Sequence, residues 1–64
     1  MTKSERQNWI NSIENSAAVV SSELGSAVVE SVFRRFGVSC AEDANDSVLP
    51  DIFSEMYAYE ADLK

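Results

Sequence analysis

A chain of sixty-four residues holds one domain with a thin core, since short chains bury a small share of their surface. Cys40 is the only cysteine and there is no histidine, so an intrachain disulfide and an ordinary zinc site are both excluded as reinforcement. The net charge of −6 is lopsided: residues 1–37 balance, whereas residues 38–64 carry seven carboxylates against Lys64 alone, a field that repels phosphates and anionic lipid and favours basic partners.

Ser4, with Gln7 three residues on, has the spacing of a capping box, and the first helix is predicted from about residue 5. Ile10, Ile13, Ala17, Val20 and Leu24 follow at alternating steps of three and four, which puts them on one helical face that Trp9 widens. The end of this helix is ambiguous. A break at Ser21-Ser22, with a second helix starting at Glu23, is favoured; Gly25-Ser26 is the alternative, because a mid-helix glycine costs about 1 kcal/mol relative to alanine.

In the second helix Leu24, Val28, Val29, Val32, Phe33 and Phe36 sweep half the circumference, a stripe wide enough to touch two neighbours. Arg34 and Arg35 in its last turn complement the helix dipole, and Glu30 stands four residues before Arg34 as an ion-pair partner. Gly37 fits the left-handed position that closes a helix, with Val38 folding back on Phe33. Residues 39–47 are polar and acidic, with one helical turn predicted at 41–44. Ser47 is the expected N-cap of a third helix that accepts Pro50 in its first turn. Along it Leu49, Ile52, Met56, Tyr59 and Leu63 again alternate by three and four, flanked by Phe53 and Tyr57. The fold class is therefore all-α: a single domain over residues 1–64, a small three-helix bundle with helices near 5–20, 23–36 and 48–62. No apolar run is long enough to span a bilayer, and the polar N-terminal segment lacks the apolar stretch of a signal peptide. With a lone free thiol, these features predict a cytoplasmic protein that does not engage membranes.

Catalytic equipment is not evident, and no catalytic, cofactor-binding or metal-ligating residue is assigned. Cys40 lacks a histidine to activate it and reads as an inert or half-buried thiol near a helix start. Residues 43–47 resemble the start of a calcium loop but lack its glycine at the sixth position and its glutamate at the twelfth, where Ser54 stands. Asp51, Glu55 and Asp62, with Ala58 between them, form a stripe opposite the apolar face of the third helix. Charge rows ordinarily face water, yet no lysine lies four residues on to relieve their repulsion, which a basic partner would do. Glu60 falls inside the apolar stripe, where a carboxylate needs a partner; Arg34 and Arg35 are the intrachain candidates.

The succession Phe33-Arg34-Arg35-Phe36-Gly37, then Glu42-Asp43, then the acidic helix over residues 51–63 resembles small uncharacterised accessory proteins encoded by bacterial conjugative elements. The resemblance covers about the last forty residues and leaves the Trp9 helix outside. It implies a mobile-element protein with no catalytic residues to carry over, in a setting where small acidic inhibitors of host defence, anti-CRISPR and anti-restriction proteins among them, occupy basic nucleic-acid channels. The expected function is thus non-enzymatic binding of a basic protein surface through Glu42, Asp43, Asp46, Asp51, Glu55 and Asp62. The alternative is a structural homodimer or subunit that uses an apolar helix face. A helix-turn-helix DNA binder fits the helix count but would place an acidic helix against phosphates, so no direct nucleic-acid contact is expected.

Overall fold

A computed structural model of the chain describes residues 1–63, and within them three α-helices and one 3-10 turn account for the regular structure, with no strand. Helix α1 runs Lys3–Leu24, α2 runs Ser26–Arg35, the 3-10 turn covers Ala41–Asp43, and α3 runs Leu49–Asp62. The fold is the expected all-α three-helix bundle. Its radius of gyration, 11.0 Å, matches the roughly 11 Å of a folded chain of this length, so no helix stands away from the others. At 1.5 Å per residue α1 alone is about 33 Å long, and it sets the 32 Å long axis. It packs against both other helices, most extensively against α3.

The N-terminal cap lies two residues earlier than expected. Thr2, not Ser4, closes the capping box: its hydroxyl accepts from the Glu5 amide at 3.1 Å, while the Thr2 amide donates to the Glu5 carboxylate at 3.3 Å. Two orphan donors of the first turn are satisfied reciprocally, with a true carboxylate in place of the Gln7 amide.

The joint between α1 and α2 is Gly25, not Ser21-Ser22. Serine tolerates a helix interior at modest cost, so α1 runs through both serines to Leu24. Gly25 then takes φ 95°, ψ 154°, a conformation essentially restricted to glycine, and turns the chain by a single residue. Leu24, the last residue of α1, is exposed although it lies on the same helical face as Val20.

At the other end of α2 the Gly37 amide donates to the Arg34 carbonyl at 3.0 Å and the Val38 amide to the Phe33 carbonyl at 3.1 Å, with Gly37 at φ 72°. These two bonds are the Schellman closure the sequence predicts. The Glu30–Arg34 pair does not form; the ion pairs among the described residues are Arg6–Asp46 and Arg35–Glu55.

Helix α3 starts without the Ser47 cap. The segment before it is already a turn, closed by the Val48 amide on the Asn45 carbonyl at 3.0 Å, and Val48 enters the helix with right-handed backbone angles. No side chain caps the helix, and Pro50 occupies the first turn, where its missing N–H costs no hydrogen bond.

The core is formed by Ile10, Ile13 and Val20 of α1, Val32 of α2, and Leu49, Ile52 and Met56 of α3, sealed by Ala41 and Ala44 from the 3-10 segment. The wide α2 stripe is used as anticipated: Val28, Val29, Phe33 and Phe36 pack on this core between α1 and α3. Trp9 meets Phe53 edge to face, ring centres 5.8 Å apart, and Phe53 stacks on Tyr57 at 5.7 Å, carrying aromatic packing out to the surface, where Tyr57 is exposed.

Candidate functional site

The six carboxylates singled out from the sequence fall into two clusters in separate grooves that share no lining residue. The first cluster belongs to α3. Positions 51, 55, 58 and 62 recur on one helical face, so Asp51, Glu55 and Asp62 line a single open groove of about 690 Å³ with Ser54 and Ala58 between them. Asp51 and Asp62 are eleven residue steps apart, about 16 Å of helix. Arg35 and Phe36, from the end of α2, and Tyr59 complete the lining.

Arg35 is the cation of this groove. Its Nη1 donates to both Glu55 oxygens, at 3.0 and 2.7 Å, and its Nη2 donates to the Tyr59 hydroxyl at 3.0 Å. Glu55 and Tyr59 are four residues apart and hence neighbours on the helix, so one planar guanidinium reaches both. The Tyr59 hydroxyl first, and the Glu55 charge second, raise the Arg35 pKa above its ordinary value. The pair is solvent-exposed, with about half of the Arg35 side chain open. Asp51 and Asp62 form no ion pair among the described residues.

The second cluster belongs to the loop between α2 and α3. Glu42, Asp43 and Asp46 line an open groove of about 630 Å³ with Arg6 of α1. Arg6 Nη1 donates to Asp46 Oδ1 at 2.6 Å and Nη2 to the Glu42 carbonyl at 3.0 Å, so a single side chain ties both ends of the turn to α1. The Ser39 hydroxyl donates to Asp43 Oδ2 at 2.7 Å. Asp43 and Asp46 are thus held by a hydroxyl and a guanidinium, and the geometry is that of an acidic turn. Among the described residues no group of three or more His, Cys, Asp or Glu side chains is placed to hold a metal.

The expected pairing of Glu60 with Arg34 or Arg35 is not formed. Five residues separate Glu60 from Glu55, about 140° around the helix, so a guanidinium seated on Glu55 and Tyr59 cannot also face it. Glu60 is half-buried and lines an open cleft with Val19, Glu23 and Leu63. Cys40 is free and exposed at the edge of a groove between α1 and α2. Sequence spacing gave no sign of the Arg6–Asp46 pair, and it pointed Arg35 at Glu60 where the structure has Glu55, because these partners lie 40 and 20 residues away.

No helix of the described residues is long and apolar enough to cross a membrane. No protein-family model matches the chain, and no curated protein or solved structure shows significant similarity to it.

Proposed function

We propose that the chain is a non-enzymatic protein-binding module whose acidic C-terminal part docks on a basic protein surface. The observation that carries this reading is the α3 groove, in which three carboxylates stand in a row and a single arginine faces them. Asp51 and Glu55 are the one pair in the row held four residues apart, where like charges repel by a few tenths of a kcal/mol, and Arg35 on Glu55 already offsets part of that repulsion; a cationic partner gains electrostatic steering from the carboxylates Arg35 leaves unpaired. The loop cluster adds a second patch of the same sign. A nucleic-acid-binding protein offers the closest complement, because its basic channel already accommodates a row of anions. Carboxylates set where phosphates belong make the module an inhibitor, of the anti-CRISPR or anti-restriction kind that the mobile-element resemblance implies. The same acidity works against direct contact with nucleic acid.

Size-exclusion chromatography with light scattering, after incubation with lysate of the cells that carry the protein, tests the reading. At low salt a basic protein should co-elute with the module, and in 1 M salt, where the screening length falls to about 3 Å, it should be released. A complex indifferent to ionic strength contradicts electrostatic docking.

A second reading is a structural homodimer or accessory subunit. It is supported by Val19 and Leu63, apolar side chains 42% and 37% exposed that line one cleft. A single monomeric species at high micromolar concentration in sedimentation equilibrium removes the homodimer form.

A further inference from the structure

A single residue separates α1 from α2. Gly25 is the whole joint, residues 22–27 around it are open to solvent, and nothing lies within 4 Å of where a Cβ would stand. The Gly25 amide still donates to the Ser21 carbonyl at 3.0 Å, the bond of an unbroken helix, so the angles φ 95° and ψ 154° alone turn the chain. Helix α2 then starts with no side chain on its first amides, which a continuous helix would pair with the carbonyls of Ser22 and Glu23.

The apolar pattern runs on through the joint as well. Val20, Leu24, Val28 and Val32 follow at steps of four, each about 40° around from the last in an unbroken helix. In the folded chain Val20 and Val32 are fully buried and Val28 packs on the core, yet Leu24 between them is 44% exposed. The turn at Gly25 leaves out one member of a row that a straight helix keeps together.

We infer that the chain has a second folded form, a dimer with exchanged first helices. Gly25 straightens, α1 and α2 join into one helix over residues 3–35, about 50 Å long, and α1 packs on α2 and α3 of a second copy. A second copy is the partner because it offers unchanged the surfaces that α1 buries in the monomer. Ile10, Ile13 and Val20 then meet Leu49, Ile52 and Met56 across chains, and the Arg6–Asp46 pair becomes intermolecular. The two straightened joints lie side by side at the twofold axis, where Leu24 meets its counterpart. The inference gives the homodimer reading a specific form and does not depend on acidic docking.

The test variant is Gly25→Ala. Alanine is strained in the closed joint and favours the straight helix, and each dimer frees two joints. The dimer dissociation constant should therefore fall by about thirtyfold or more relative to wild type. Sedimentation equilibrium should show wild type reaching the dimer at high micromolar concentration and the variant at low micromolar. The Tm of the variant, low at high dilution, should rise with concentration. Leu24→Ser in the same background should weaken the dimer, and a Gly-Gly-Ser insertion after Gly25 in the wild type should hold the monomer at every concentration. Exchange itself is read by refolding isotope-labelled with unlabelled chains of the variant: intermolecular NOEs should link Ile10 and Ile13 of one chain to Leu49, Ile52 and Met56 of the other. A dimer that lacks these NOEs overturns the exchange while upholding a face-to-face homodimer. A Gly25→Ala chain that is monomeric throughout, folded or unfolded, overturns it too. A wild type that stays monomeric at high micromolar concentration overturns it for the natural chain and removes the homodimer reading with it.

Discussion

Replacing Gly25 by alanine should destabilise the domain, and the sign of the effect decides how α1 joins α2. Gly25 has φ 95° and ψ 154°, in a region that side-chain-bearing residues almost never occupy. No atom lies within 4 Å of where a methyl group would stand, so there is no clash to add, and the whole cost is local backbone strain of about 1–3 kcal/mol. A domain of this length has roughly 3–10 kcal/mol of stability in total, so the loss is a large fraction of it. At about 4–8 °C per kcal/mol, Tm should fall by roughly 5–20 °C. Thermal and urea unfolding followed by circular dichroism at 222 nm measure the change. If residue 25 were instead inside a continuous helix, the same substitution would stabilise by about 1 kcal/mol. A Gly25→Ala variant that is neutral or more stable than wild type therefore refutes the one-residue joint.

Other substitutions probe the core, the caps and the charged links. Met56→Ala empties a fully buried position of α3 and should cost about 2–5 kcal/mol in urea unfolding, enough to leave much of the population unfolded near 37 °C. Thr2→Ala removes the capping hydroxyl and should cost about 1 kcal/mol, seen as fraying of the first turn of α1 by amide exchange. Hydrogen bonds from the Thr2 side chain and then its amide hold the Glu5 carboxyl below its ordinary value of 4.5. That contribution is complete above 4.5 and is lost as pH falls from there through the lower folded value; a carbon-detected NMR titration of Glu5 should give a midpoint below 4.5, and Thr2→Ala should move it only part of the way back, because the amide of residue 2 still donates. Arg6→Ala should release residues 42–46 from α1, raising amide exchange in that loop at a cost of no more than about 1 kcal/mol, and high salt should shrink the difference from wild type.

Much of the bundle was readable because helical spacing is a local property. The alternating steps through Ile10, Ile13, Val20 and through Leu49, Ile52, Met56 place those side chains in the core. Gly37 and Val38 close α2 with the two hydrogen bonds their types suggest. The structure departs from the helical spacing where two local signals compete. Thr2 with Glu5 offered a stronger capping box than Ser4 with Gln7, and the glycine at 25 was a better breaker than the serine pair at 21–22. Residues 39–47 read as a polar connector, yet Ala41 and Ala44 are buried, since two small residues three apart on a short turn make too little pattern to register.

The candidate site was legible only in part. The α3 row followed from periodicity, but the division of the six carboxylates between two grooves depends on tertiary placement. So does the attachment of one arginine to each, through pairs that no spacing rule connects. Both links come from the charge-balanced part of the chain, so the acidity of residues 38–64 is partly offset in the folded molecule.

The most direct test of acidic docking is capture from lysate of the cells that carry the protein. Immobilised wild type is compared with an Asp51→Asn/Glu55→Gln/Asp62→Asn variant of verified fold, each eluted with a salt gradient and the retained proteins identified by mass spectrometry. Docking through the α3 groove predicts a basic protein held by the wild type at low salt, released as salt rises, and passing through the neutralised variant. A partner retained equally by both proteins at every salt concentration, or no partner retained by the wild type, contradicts it.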